Sequence, residues 1–287
     1  MDYLISRPQF VRLNQSLSDT IHTKTGAPQG TVLSSFWFTL YTADYRLNQS
    51  GCHLQKFSDD SALVGHILKD NDQAYREEIN KFVSWCEENF LELNLSKTKE
   101  LVIDFRTKKA TVTPISIKGS QIEMVPSYKY LGVHLDKNLN WKENTNAVAK
   151  KAQTRLFFLR KLRSFGVSRT LMNMFYQSIL ASVLFYSVVC WGNSINVDDQ
   201  NRIKKLLKKA GSIIGITPAS LEAVMEIRTK RKLDAILTNT ENPLYGIMNG
   251  LRSEFTGRLL MPSCSTERIK RSFVPSAVML YNRTYNR

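Results

Sequence analysis

Asp59 and Asp60 stand side by side in QKFSDDSALVG, residues 55–65, with Leu54 and Phe57 before them and Ala62, Leu63 and Val64 after. Paired carboxylates are hard oxygen donors, the ligand type that Mg²⁺ takes. At ~4 Å in an effective dielectric of ~20, two such charges repel by roughly 4 kcal/mol. The pair is therefore tolerable in a wet turn or around a shared cation. Two other stretches carry polar groups among turn formers. GAPQG, residues 26–30, combines glycines that let backbone approach closely with the amide of Gln29, a donor and an acceptor. NLSKTKE sets two cations, Lys97 and Lys99, in a polar stretch. Each has a plainer reading: a solvated Asp-Asp turn, an ordinary Pro/Gly turn, a solvated loop.

The elements that must position these groups follow from periodicity. Residues 8–25 alternate around turn formers and predict a hairpin near Asn14 to Asp19. VLSSFWFTLYTADYRL has the length of a helix, and HLQKF and SALVGHIL are two strands joined at Ser58-Asp59-Asp60. Tyr75, Ile79, Phe82, Val83, Cys86 and Phe90 then share a helical face, with Glu77, Glu78, Lys81 and Glu87 opposite. ELVIDF (100–105) predicts a strand, and residues 115–136 predict further strands joined by Gly and polar turns. After Asn138 the pattern is helical. Ala152, Leu156, Leu159, Leu162 and Phe165 share one face; Ile203, Leu206, Leu207, Ala210 and Ile214 share another, opposite Lys204, Lys205, Lys208 and Lys209. The expected organisation is 1–136, 137–240 and a poorly patterned 241–287 interrupted by Pro243, Pro262 and Pro275.

Charge divides along the same line. Residues 137–287 hold 25 Lys+Arg against 9 Asp+Glu, whereas residues 1–136 hold 15 against 16. A basic half beside an acidic pair suits a polyanion held next to divalent metal, and the usual polyanion is nucleic acid. Cys52, Cys86, Cys190 and Cys264 form no C-x-x-C pair and read as reduced packing thiols of an intracellular protein. The start, MDYLISRPQF, lacks the pattern of a signal peptide, and ILASVLFYSVVCW (179–191) reads as a buried helix, not a membrane span.

GAPQGTVLSS, FSDD, LELNLSKTKELVIDF and YKYLGVHLD, in this order, resemble the later palm motifs of reverse transcriptases, nearest to those of non-LTR (LINE-type) retrotransposons. The resemblance implies an α+β fold: a partial polymerase palm, an antiparallel sheet with helices on one face, followed by an all-helical thumb-like region. It implies template-directed DNA synthesis on RNA, with an RNA template, a DNA primer or RNA–DNA hybrid, and dNTP as partners, in the nucleus and cytoplasm and not at a membrane. Asp59 would be a metal ligand supported by Asp60, for two Mg²⁺ (or Mn²⁺) ions in the full-length parent. Pro28, Gln29 and Gly30 would lie under the nascent base pair, and Lys97 or Lys99 near the triphosphate. Tyr128, Leu131 and Gly132 in YKYLGV would grip the primer, although Tyr128, Tyr130 and Leu131 alone are equally core residues. Lys150, Lys151, Arg155, Arg160, Lys161, Arg163, Lys204, Lys205 and Lys208 would track phosphates without reading sequence.

The family places a first catalytic carboxylate on an earlier strand, and Asp2 and Asp19, the only acids before Gly26, lack that context. The expectation is a later-palm-and-thumb fragment with little activity by itself. One alternative is a non-catalytic nucleic-acid-binding remnant. Another is an appendage of an AlkB-like tRNA-modifying oxygenase, from the H-x-D of His134 and Asp136 and a slight likeness in the basic helix after it. The other histidines, His22, His53 and His66, all precede that pair and complete no facial triad.

Overall fold

The computed structural model describes residues 6–23, 26, 30–47, 51–109 and 111–285, arranged in two compact units: residues 1–100 with 110–123, and residues 101–109 with 124–287.

In the first unit the predicted hairpin is a nested one. β1 (Arg7–Gln9) pairs antiparallel with β4 (Ile21–Thr23), and β2 (Arg12–Leu13) with β3 (Ser16–Leu17) across Asn14-Gln15. Helix α1 (Val32–Tyr41) starts at Thr31, whose Oγ1 accepts the Ser34 N–H at 3.2 Å, and none of its residues is buried. β5 (Cys52–Phe57) and β6 (Asp60–Gly65) form the longest ladder. Helix α2 (Gln73–Glu88) packs behind it, and β7 (Lys99–Glu100), β8 (Ser116–Ile117), β9 (Ser120–Gln121) and β10 (Glu123–Met124) follow. The core here is small: buried Ile79, Ile115, Ile117 and Ile122, with Leu63, Tyr75, Val83 and Leu95 against them.

The second unit opens with the hairpin β11 (Ser127–Tyr130) and β12 (Val133–Asp136). Helix α3 (Lys142–Ser164) begins because Asp136 organises the turn before it: its carboxylate accepts the N–H groups of Asn138, Asn140 and Trp141 at 2.9–3.3 Å. Next come α4 (Arg169–Phe175), a π-helical segment at 176–181, α5 (Ser182–Leu184), α6 (Val188–Trp191), α7 (Val197–Ile214) and α8 (Leu221–Leu237). Leu156, Leu159, Leu180, Leu184, Trp191, Ile203 and Leu206 form the main core. Residues 169–191 have the length and composition to cross a membrane. Yet Tyr176, Leu180, Leu184, Val188 and Trp191 from this stretch are buried in that core.

The last region is better built than its pattern suggested. α9 (Tyr245–Gly250) and α11 (Phe273–Tyr285) pack on the end of α8, where Leu233, Ile236, Met248, Leu259, Ala277 and Val278 are buried together, and the short α10 (Glu267–Arg271) packs against α11. Pro275 falls in the first turn of α11, where no helical N–H is needed.

Mixed helices and small antiparallel ladders agree with an α+β class. Five local expectations differ. Phe165, expected on the core face of α3, caps the end of that helix and is 78% exposed. The strands of the described residues pair two by two and do not form one sheet. Of the expected strand 100–105 only Glu100 joins a ladder, in the two-residue β7; 101–105 is in no ladder among the described residues, and Phe105 lies under the Arg268 guanidinium. Phe90 is not on the α2 core face: the helix ends at Glu88, Phe90 takes φ of 53°, and its side chain is 94% exposed. Glu78, assigned to solvent, is completely buried.

Candidate functional site

The acidic pair sits at the apex of β5–β6. Phe57 pairs with Asp60, so Ser58 and Asp59 form a two-residue turn, and Ser58 takes φ of 55°. That left-handed conformation is what a tight hairpin requires at its first turn position, at a cost of ~1 kcal/mol for a residue with a Cβ. Both aspartates are exposed. In bulk water two charges ~4 Å apart repel by only about 1 kcal/mol, so the wet turn removes most of the conflict posed by the sequence.

Alternation along the ladder sets Cys52, Leu54, Lys56, Ser61 and Leu63 on one face and His53, Gln55, Phe57, Asp60, Ala62 and Val64 on the other. Leu63 packs on the isoleucine core. Asp60 therefore shares the open face with Phe57, which is 61% exposed. Lys56 points the other way. Its ammonium donates to the Thr42 carbonyl at the end of α1 and lies 6.0 Å from the Trp85 ring, and burial pushes its pKa down. Trp85 in turn donates its indole N–H to Asp44. Deeper still, Tyr45 donates to Glu78 Oε1 at 2.8 Å inside a cluster with Phe82 and Trp85; burial, then this hydrogen bond, raises the Tyr45 pKa. The apex is thus a wet tip on an anchored base.

Pro28 and Gln29 lie outside the described residues. Gly30 takes φ of 78° and leads directly through the Thr31 cap into α1. Lys99 is ion-paired to Glu123 at 2.7 Å, whereas Lys97 is exposed. In the second unit, Leu131 and Gly132 form the β11–β12 turn with φ of 45° and 84°. Tyr128 is 39% exposed and shares a ladder face with Tyr130, Val133 and Leu135, of which Val133 and Leu135 pack on the helical core. Tyr186 donates to the Leu131 carbonyl at 2.8 Å.

Lys150, Lys151, Arg160, Lys161 and Arg163 are exposed along α3, and Lys204, Lys205 and Lys208 along α7. Three of the nine basic positions are partly committed within the unit. Arg155 is half-buried and donates to Lys151 O, Arg163 donates to Ser212 O, and Lys204 pairs with Glu222 at 2.7 Å. That last contact holds the Glu222 carboxyl below its ordinary range.

Among the described residues, no three His, Cys, Asp or Glu side chains converge as a metal cage. Two exposed carboxylates do suit a Mg²⁺ that keeps water and substrate phosphate oxygens as its other ligands. The H-x-D alternative fares worse, because the buried Asp136 carboxylate is already taken by three backbone N–H groups. The anchoring residues Lys56, Glu78, Tyr45 and Tyr186 were not singled out from sequence. Only Lys56 had a usable signal, since alternation in CHLQKF puts it on the inner face with Leu54.

Residues 2–135 match the reverse transcriptase (RNA-dependent DNA polymerase) family. The probable RNA-directed DNA polymerase from transposon BS of Drosophila melanogaster is 26% identical over 219 residues, covering 72% of this chain and 24% of that protein. These matches bear out the resemblance to reverse transcriptases of non-LTR retrotransposons, with the family itself matched over just under half of the chain.

Other relatives are the RNA-directed DNA polymerase from mobile element jockey of Drosophila funebris and the probable RNA-directed DNA polymerase from transposon X-element of Drosophila melanogaster. They are 24% and 25% identical, covering 64% and 74% of this chain and 22% and 24% of theirs. The chain spans about a quarter of the length of the curated relatives it matches. No solved structure gives a significant match. Residues 141–182 also match the family described as alkylated DNA repair protein alkB homolog 8, N-terminal. That match covers helices only and begins after His134 and Asp136.

Proposed function

We propose that this chain supplies the acidic hairpin and the phosphate-tracking helices of a retrotransposon polymerase that copies RNA into DNA from a DNA primer and dNTP. The observation that carries the reading is Asp59 and Asp60 at an exposed apex, on a hairpin fastened behind its tip. Asp59 and Asp60 would hold the divalent cation, Mg²⁺ or Mn²⁺, which when bound supplies charge neutralisation at phosphate oxygens. Gly30 closes the loop that would support the nascent pair. Lys97 is the better candidate for the triphosphate, because Lys99 is held by Glu123. Lys150, Lys151, Lys161, Lys205 and Lys208 would meet the nucleic-acid backbone, giving binding that weakens steeply with salt. RNA and DNA as partners imply work in the cytoplasm and nucleus.

The 287-residue polypeptide by itself should polymerise little, because a two-metal site needs a bridging carboxylate beyond this pair. Primer extension on an RNA template with Mg²⁺ tests this: incorporation abolished by Asp59→Asn would overturn the inactivity. Calorimetric titration with Mg²⁺ or Mn²⁺ tests the site. Saturable binding lost in Asp59→Asn supports it, and no binding favours a non-catalytic nucleic-acid-binding role. The absence of a three-ligand cluster among the described residues keeps that second reading in play.

A further inference from the structure

Helix α3 has two opposed faces. Ala149, Ala152, Leu156 and Leu159 are buried in the core. On the opposite side, at spacings of three and four, run Lys150, Thr154, Phe157, Phe158 and Lys161, with Phe165 at the cap just past the helix end, all exposed. The three phenylalanines are 52%, 50% and 78% exposed. The Phe157 and Phe158 rings pack edge to face with centroids 5.7 Å apart, and the Lys161 ammonium lies 5.9 Å from the Phe157 ring. Three aromatic rings on the solvent side of a helix whose other side already fills the core are not explained by folding.

The charge around them selects the occupant. Helix α3 carries seven Lys and Arg against one Glu. An apolar protein groove laid on this stripe would have to strip water from Lys150 and Lys161 without compensation. A nucleic acid offers phosphates to the ammonium groups and flat π-faces to the rings. Within a duplex those faces are covered by neighbouring base pairs, so the rings can be reached only by unpaired bases. From Lys150 to Phe165 the stripe runs about 22 Å along the helix axis, room for a few splayed nucleotides.

We propose that the Phe157–Phe158 step of α3 is a stacking platform for unpaired bases, flanked by Lys150 and Lys161 on the phosphates, and that it makes this chain prefer single-stranded over duplex nucleic acid. The inference rests on the nucleic-acid reading above and adds to it a strand-state preference that phosphate contacts cannot give.

The test is fluorescence anisotropy of the full chain with a labelled 12-nucleotide RNA and the same strand annealed to its complement. The wild type should bind the single strand more tightly. Phe157→Ala/Phe158→Ala should weaken single-strand binding about 10- to 100-fold, leave duplex binding within about twofold, and leave the salt slope unchanged. Phe157→Tyr/Phe158→Tyr, which keeps both rings, should retain the preference and serves if the alanine variant does not fold. Equal loss on both ligands, no loss on either, or a wild-type preference for duplex would overturn the platform while leaving nucleic-acid binding intact. A wild type that binds neither ligand would overturn the underlying reading as well. Light scattering that shows a wild-type dimer made monomeric by the double alanine variant would assign the stripe to protein association instead.

Discussion

Tyr186 clasps the turn of the β11–β12 hairpin: its hydroxyl donates to the Leu131 carbonyl at 2.8 Å, and its ring lies where a Cβ on Gly132 would come within 3.3 Å. One half-exposed side chain from the turn between α5 and α6 thus fixes both the direction and the closeness of the hairpin turn. Tyr186→Phe should lose about 1 kcal/mol of stability. Gly132→Ala should lose more, about 1–2 kcal/mol, because φ of 84° disfavours any Cβ and the ring must also yield. Urea midpoints of the two variants check the order. Equal midpoints would show that the ring does not restrict the turn.

A second prediction concerns Gly65, at the far end of the acidic hairpin. Tyr75 covers it so closely that a Cβ there would fall within 2.7 Å of the ring. Burial raises the Tyr75 phenol to about 12, consistent with a ring pressed into the unit. Gly65→Ala should therefore displace Tyr75 and destabilise by about 1–3 kcal/mol, and Gly65→Ala/Tyr75→Leu should recover part of that loss. Thermal unfolding of the single and double variants reads the coupling.

The buried pair of Tyr45 and Glu78 should behave as a unit. Removing the Glu78 side chain leaves the Tyr45 hydroxyl only its longer 3.4 Å bond to the Glu78 carbonyl, and removing that hydroxyl strands a fully buried carboxylate oxygen. Glu78→Ala and Tyr45→Phe are each expected to cost about 1–3 kcal/mol. A double-mutant cycle should return a coupling of about 1 kcal/mol or more. Additive losses would mean that the 2.8 Å contact contributes nothing.

The fourth prediction is a pH dependence. Burial pushes the Glu100 carboxyl up, and the Ile115 N–H at 3.3 Å offsets this only in part. The folded chain therefore holds this proton to higher pH than the unfolded chain does. Between the ordinary glutamate value, ~4.3, and the raised one, folding takes up a proton. Stability contributed here grows as pH falls through the folded value and is lost as pH rises through it. Glu100→Gln keeps an acceptor for Ile115 without the charge. It should raise stability at pH 7 by something on the order of 1 kcal/mol and flatten the profile below it. Denaturant midpoints at pH 7 and pH 4.5 measure both effects; a variant less stable at pH 7 would show that the charge is needed.

The sequence by itself determined whatever depends on neighbours a few residues away. The Asp59 apex between two short strands, the buried stripe of α7 and the core face of α3 up to Leu159 were legible, because turn chemistry and helical period are local; Phe165, past the helix end, escaped that period. Tertiary structure alone decided what depends on surfaces meeting. Glu78 had the sequence position of a solvent-side charge and became buried because Tyr45 arrives to accept its company. Residues 101–105 had the composition of a strand but join no ladder among the described residues. Asp136, a candidate metal ligand on paper, is spent on three backbone N–H groups that start α3. A side chain's type fixes the bonds it can make, but only the folded chain decides which partner comes within about 3 Å to make them.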